Sequence, residues 1–228
     1  MFVPVTGVLL ANCGTPPGQP RAGSEARAPN EVMDFDMLYA NNCSACHGAE
    51  GRGGGAIALA NPVYLAIADE HTMRETVANG MRHTSMPAFA QRAGGMLTET
   101  QIDTMVAEMR RRWSRPDALA GAHPPPDAAT SAGDAHRGAA TYQTFCESCH
   151  GADGRGGPSG SAITNDSFLA LVSDQALRTL VIAGRPELGT PDWREYLPGQ
   201  PMSEQEVTDV VSWLASHRAA APGQPYVE

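Results

Sequence analysis

The 228 residues include no lysine. Every fixed positive charge is therefore one of 16 arginines, set against 25 carboxylates, for a formal net charge of −9. Such a chain lacks the basic face that non-specific nucleic-acid binding requires. It suits a partner with a basic docking surface, since complementary charge speeds encounter; acidity that serves only solubility is the plainer alternative. Aromatic residues are scarce too, at 6%. Small domains with so few large side chains usually recruit a staple, a metal or a cofactor to complete their cores. No stretch reaches the ~20 apolar residues of a bilayer-spanning helix. No run alternates convincingly in the strand period, which leaves an all-α fold with long loops. The 24 glycines and 18 prolines supply the turns.

Cysteine is limited to five positions: Cys13, Cys43, Cys46, Cys146 and Cys149. Four of them form two C-x-x-C pairs, and the odd one requires its own explanation. Cys13 closes an apolar run, and Leu10-Ala11-Asn12-Cys13 resembles the lipobox of a bacterial lipoprotein signal. The expectation is lipidation of Cys13 and a periplasmic protein anchored to the membrane by that lipid. A plain exported tail and a free thiol are the alternatives.

The chain repeats itself. Cys46–Gly54 matches Cys149–Gly157 with one difference, Glu50 against Asp153. Asn61–Pro87 then aligns with Asn165–Pro191 without a gap, pairing Arg74 with Arg178, Gly80 with Gly184 and Met86 with Thr190. Duplication of one domain is the simplest account. The expected division is a signal remnant and tether (1–30), a first domain (31–115), a Pro/Ala-rich linker (116–133), a second domain (134–219) and a tail (220–228). The linker composition reads as flexible.

Each repeat shows three helical stretches. The first leads into C-x-x-C-H, with Phe35, Leu38 and Tyr39, or Tyr142 and Phe145, on one face. The second covers about 70–79 and 174–183, ended by Gly80 and Gly184. The third opens on capping boxes, Thr98-x-x-Gln101 and Ser203-x-x-Glu206.

C-x-x-C-H is the attachment signature of a c-type haem. Two thiols on one turn reach the two vinyl groups as thioethers, and the adjacent histidine meets the iron. Cys43, Cys46 and His47 thus hold haem 1, and Cys146, Cys149 and His150 hold haem 2. A redox pair or a zinc site is the competing reading, and zinc would need further ligands. Opposite His47, Met86 in Met86-Pro87 is the candidate sixth ligand, a thioether that raises the reduction potential; His83 is its rival, and a core role for Met86 the bland reading. In the second repeat Thr190 stands in that place and is a poor iron ligand. Three options stay open: Met202 swings in, a histidine such as His217 or His136 serves, or the site is open. Arg52 and Arg155 pair with haem propionates or merely stabilise surface turns. Gly53-Gly54-Gly55 and Gly156-Gly157 lack the Lys and Ser/Thr of a phosphate loop and suit close passage of backbone past a porphyrin edge.

This order of helix, C-x-x-C-H, loop, Met-Pro and final helix resembles the class I cytochromes c, in a tandem dihaem arrangement. Similar layouts are those of cytochrome c4 and of dihaem subunits in quinol-oxidising complexes and haem-copper oxidases. The resemblance implies two cytochrome c domains passing single electrons between membrane redox complexes. The implied partners are a quinol-oxidising complex, a terminal oxidase or a reaction centre. Thr190 keeps other readings open: a haem enzyme of peroxidase or thiosulfate-oxidising type, or a ligand sensor. Protein denatured and extracted with acidified solvent is expected to retain two haems per chain by absorbance. Loss of all haem on extraction would sink the covalent reading.

Overall fold

A computed structural model describes residues 27–82 and 84–220. Cys13 and His83 lie outside the described residues. The fold is all-α as expected, with no strand among the described residues. The first repeat contains α1 (Phe35–Asn42), α2 (Ser44–His47), α3 (Pro62–Ile67), α4 (Glu70–Asn79) and α5 (Glu99–Trp113). The second contains α6 (Ala135–Phe145), α7 (Glu147–His150), α8 (Asp166–Leu171), α9 (Asp174–Ala183) and α10 (Glu204–Ser216). The short α3 and α8 go beyond the three expected helical stretches. Each begins on an asparagine, Asn61 or Asn165, whose side-chain oxygen accepts two backbone N–H bonds of the first turn. Both predicted capping boxes form.

The first and last helices of each repeat cross, but not in the same way. In the second repeat Gly138 of α6 sits at the crossing, where an added Cβ would lie 2.0 Å from the Asp209 carbonyl oxygen. The close approach lets Tyr142 stack on Trp213, with ring centroids 4.1 Å apart. Phe35 stands at the matching position of α1 and meets the edge of Trp113 at 5.7 Å, with the Arg112 guanidinium 4.3 Å over its ring. The crossing at α6 and α10 is also pinned by an ion pair. Buried Asp209 accepts from Arg137 Nε at 2.7 Å, from its terminal nitrogen at 2.8 Å and from the Asp134 N–H at 2.8 Å.

The two repeats pack on each other through α3 and α9. Val63, Tyr64 and Ile67 join the apolar cluster of the second domain, with Ile182, Ala183 and Trp193. Asn61, 4% exposed, caps α3 with its oxygen and donates from its amide nitrogen to the Ala183 carbonyl across the interface at 2.8 Å. The linker is not the flexible hinge that its composition suggests. Arg194 donates to Leu119 and Ala118 carbonyls, Arg178 to the Pro126 carbonyl, and Thr179 to the Asp127 carboxylate. These bonds strap it along the second domain, because side chains distant in sequence satisfy its backbone.

Gly138→Val is expected to lower stability by about 1–3 kcal/mol through overpacking at the crossing, read as a lower midpoint in thermal unfolding followed at Trp213. Burial raises the pKa of Asp209, but Arg137, the Asp134 N–H and Gln205 outweigh it and hold the carboxyl below the ordinary range. Its folded pKa is thus depressed, so its contribution is present above the unfolded carboxylate value of about 4 and is lost as pH falls through the lower folded value. Asp209→Asn should flatten the acid limb of the stability–pH curve, and an unchanged limb would refute this assignment.

Candidate functional site

Each C-x-x-C-H folds as a single helical turn that continues the helix before it. Cys43 caps both α1 and α2, and Cys146 caps both α6 and α7. In each pair the leading thiol is more enclosed than the trailing one, and all four are free thiols. Burial, then the neighbouring thiol, pushes Cys43 up to about 12, and the same causes push Cys146 up to about 12. Both stay protonated near neutral pH.

The histidines are oriented by their loops. His47 Nδ1 lies 2.8 Å from the Ile57 carbonyl oxygen, and His150 Nδ1 lies 2.7 Å from the Ser161 carbonyl oxygen. A carbonyl can only accept, so each Nδ1–H donates, and in the neutral ring the lone pair sits on Nε2. Burial lowers the pKa of His47, which favours that neutral ring. An oriented imidazole with its second nitrogen bonded to a carbonyl is the arrangement of a metal ligand. Tyr39 and Tyr142 reinforce the turn by donating to the Gly48 and Gly151 carbonyls at 2.9 and 2.5 Å. Two thiols on one turn beside such a histidine fit a covalently held haem. Among the described residues no group of three or more His, Cys, Asp or Glu could hold a metal ion; the further ligands that the zinc reading needs are not found there.

The loops after α4 and α9 share one backbone bond. The Met86 carbonyl accepts from the Met81 N–H at 3.0 Å, and the Thr190 carbonyl accepts from the Arg185 N–H at 2.9 Å. Gly80 and Gly184 set these loops, at φ +67° and +65°, and a Cβ on either would strike the Met86–Ala88 or Thr190–Pro191 backbone at 2.2–2.8 Å. Thr190 therefore occupies the place of Met86. Met86 itself is half-buried against the first domain's core. Met202 is elsewhere: its N–H donates to the Trp193 carbonyl at 2.9 Å, as the Leu97 N–H donates to the Phe89 carbonyl at 2.8 Å. It is a core residue, 2% exposed, clustered with Tyr142, Phe145 and Trp193.

His217 is engaged at the end of α10, packed edge-on against Trp213 with Nδ1–H donated to the Trp213 carbonyl. His136 is exposed in the first turn of α6, about 15 Å along the axis from Cys146. Arg155 pairs with its neighbour Asp153 at 3.0 Å on the surface, and Arg52 is exposed. The sequence reading missed Arg185, whose guanidinium donates to the Gly54 carbonyl of the first repeat at 2.8 Å. Its only signal was its mismatch with Met81.

A family model described as "Cytochrome C oxidase, cbb3-type, subunit III" matches residues 30–107 and 133–214. The chain is 30% identical over 148 residues to a "Cbb3-type cytochrome c oxidase subunit CcoP" of Azospirillum sp. (strain B510), covering 58% of this chain and 45% of that one. It is 30% identical over 132 residues to the protein of the same description from Rubrivivax gelatinosus, covering 58% and 38%. The chain thus spans less than half the length of these curated relatives. Among solved structures, the "Kuenenia stuttgartiensis reducing HAO-like protein complex Kustc0457/Kustc0458" is similar at 17% identity and a TM-score of 0.44, covering 84% of this chain and 99% of that one.

Gly80→Ala and Gly184→Ala are each expected to cost about 1–3 kcal/mol, because the backbone conformation is strained for any other residue and the Cβ meets main chain. Thermal unfolding checks this, and wild-type midpoints would show that the loops can relax.

Proposed function

Since the chain belongs to the family of cytochrome c oxidase, cbb3-type, subunit III, we propose that it carries single electrons to a terminal oxidase on the periplasmic side of a bacterial membrane. It is a tandem dihaem c-type cytochrome, and each of the two matched regions contains one C-x-x-C-H. The observation that carries the reading is the duplicated histidine–carbonyl bond, which leaves one Nε2 lone pair per domain beside two free thiols. We assign the thioethers to Cys43, Cys46, Cys146 and Cys149, and the proximal ligands to His47 and His150. Met86 is the sixth ligand in the first domain. A haem held this way supplies reversible storage of one electron at its iron. The protein's own part is to exclude water, orient the imidazoles and hold the two domains in fixed register through α3 and α9.

An acidic surface of net charge −9 favours a basic docking face on the partner. No helix among the described residues is long and apolar enough to cross a membrane. Attachment through a lipid on Cys13 is the accompanying proposal, and mass spectrometry of the membrane-extracted protein tests it.

A second reading is favoured by Thr190. Thr190 is a poor iron ligand and Met202 packs in the core cluster with Tyr142, Phe145 and Trp193, so haem 2 has no assigned sixth ligand. The distal side of haem 2 is then exchangeable, as in a haem enzyme or a sensor. Carbon monoxide added to the reduced protein is expected to perturb about half of the haem absorbance, and Met202→Leu is expected to leave the spectrum of haem 2 unaltered. An unperturbed reduced spectrum would mean that both irons are tightly six-coordinate. Met86→Ala is expected to lower the midpoint potential of haem 1 and open it to carbon monoxide. Oxygen uptake by an isolated cbb3-type oxidase, supplied with the reduced protein, tests the partner; no uptake above the protein-free control would reject it.

A further inference from the structure

Arg185 bridges the two domains. Its main chain pairs with Thr190 in both directions: the Arg185 N–H donates to the Thr190 carbonyl at 2.9 Å, and the Thr190 N–H donates to the Arg185 carbonyl at 3.0 Å. Its side chain leaves the second domain and donates to the Gly54 carbonyl at 2.8 Å. Gly54 lies three residues before Ile57, whose carbonyl orients His47. One residue therefore holds the loop that carries Thr190 with its backbone and the loop that carries the Ile57 carbonyl with its guanidinium. Glu187 accepts from Arg185 Nε at 2.6 Å, and the pair is largely enclosed, at 14% and 16% side-chain exposure. Asn61 anchors the same seam by donating to the Ala183 and Gly184 carbonyls.

Among the described residues the arrangement has no counterpart in the other direction. Met81 matches Arg185 and carries no charge. Gly157 matches Gly54, and its N–H bonds to the Gly160 carbonyl within its own domain.

We propose that Arg185 is a positioning residue through which the second domain sets the electron affinity of the haem held by His47. This rests on the assignment of haems to the two C-x-x-C-H turns. Ferric iron carries one more positive charge than ferrous iron, so a cation held near the site disfavours oxidation and raises the potential. Enclosure at the interface limits screening. Glu187 offsets part of that charge.

The two members of the pair act with opposite sign, which gives the test. Potentiometric titration of the full chain is followed in the visible spectrum, with the haem at His47 identified by its shift in Met86→Ala. Arg185→Met, which installs the residue of the first repeat, is expected to lower the midpoint of that haem enough to change electron partition between the two haems several-fold. Glu187→Gln is expected to raise it. Resonance Raman of the iron–histidine stretch, read in the reduced Met86→Ala background where that haem is five-coordinate, is expected to move on adding Arg185→Met and to be restored with Arg185→Lys. Midpoints that stay still, or that move in the same direction in both variants, overturn the proposal. Should Arg185→Met fail to fold, Glu187→Gln decides alone, and no rise overturns it. Wild-type protein without bound haem would instead refute the assignment beneath the proposal.

Discussion

The structure depends on one hydrogen bond made twice. A histidine that follows two cysteines on a single turn is free to spin about its own side-chain bonds. The carbonyl of Ile57, or of Ser161, removes that freedom and fixes which nitrogen keeps its lone pair. Much of the rest can be read as support for that carbonyl. The loop between the turn and α3 must return it to the ring, the tyrosine of the preceding helix ties down the next backbone turn, and the asparagine cap of α3 sets where the loop ends. The scarcity of aromatic side chains fits this plan, because the cores are arranged about a site and are not filled by bulky residues alone.

Duplication preserved the site and let its surroundings diverge. Arg74 spreads over Glu75, Glu99 and Asp103 at the surface of the first domain. Its counterpart Arg178 is buried beneath the linker, bonded to the Pro126 carbonyl and Thr208. Burial without a carboxylate in contact lowers the pKa of Arg178. The same position thus serves surface ion pairing in one copy and fixes a connecting segment in the other. Gly138 against Phe35 tells a similar story: one copy crosses its terminal helices closely, and the other fills the gap with a ring and covers it with a guanidinium.

Much of this was legible in the sequence, for identifiable reasons. The C-x-x-C-H turns, both capping boxes and the glycines that end α4 and α9 depend on contacts within a few residues, so local pattern reports them. The two six-residue helices α3 and α8 are too short for a periodicity argument, although Asn61-Pro62 is a start signal in itself. The linker misled because composition records what a segment is made of and not what distant residues do for its backbone; Arg178, Thr179 and Arg194 lie far along the chain from the groups they bind. Arg185 left no more than its mismatch with Met81, for the same reason. Met202 shows the opposite case: it stands one residue before a capping box, as Leu97 does, and the structure gives both the same backbone bond.

The seam between the domains joins unlike surfaces, α3 of one repeat against α9 of the next. A head-to-tail contact of this kind has no intrinsic stop, since each added unit can offer the same seat again. Here the seat is altered, although Phe168 and Leu171 keep the apolar character of Tyr64 and Ile67. At the places of Pro62 and Val63, the second domain carries Asp166 and Ser167, both exposed. Covering a carboxylate and a hydroxyl without partners would cost more than a proline and a valine return. Two polar residues in the first turn of α8 therefore make that surface a poorer seat than α3 for a second contact of the same kind.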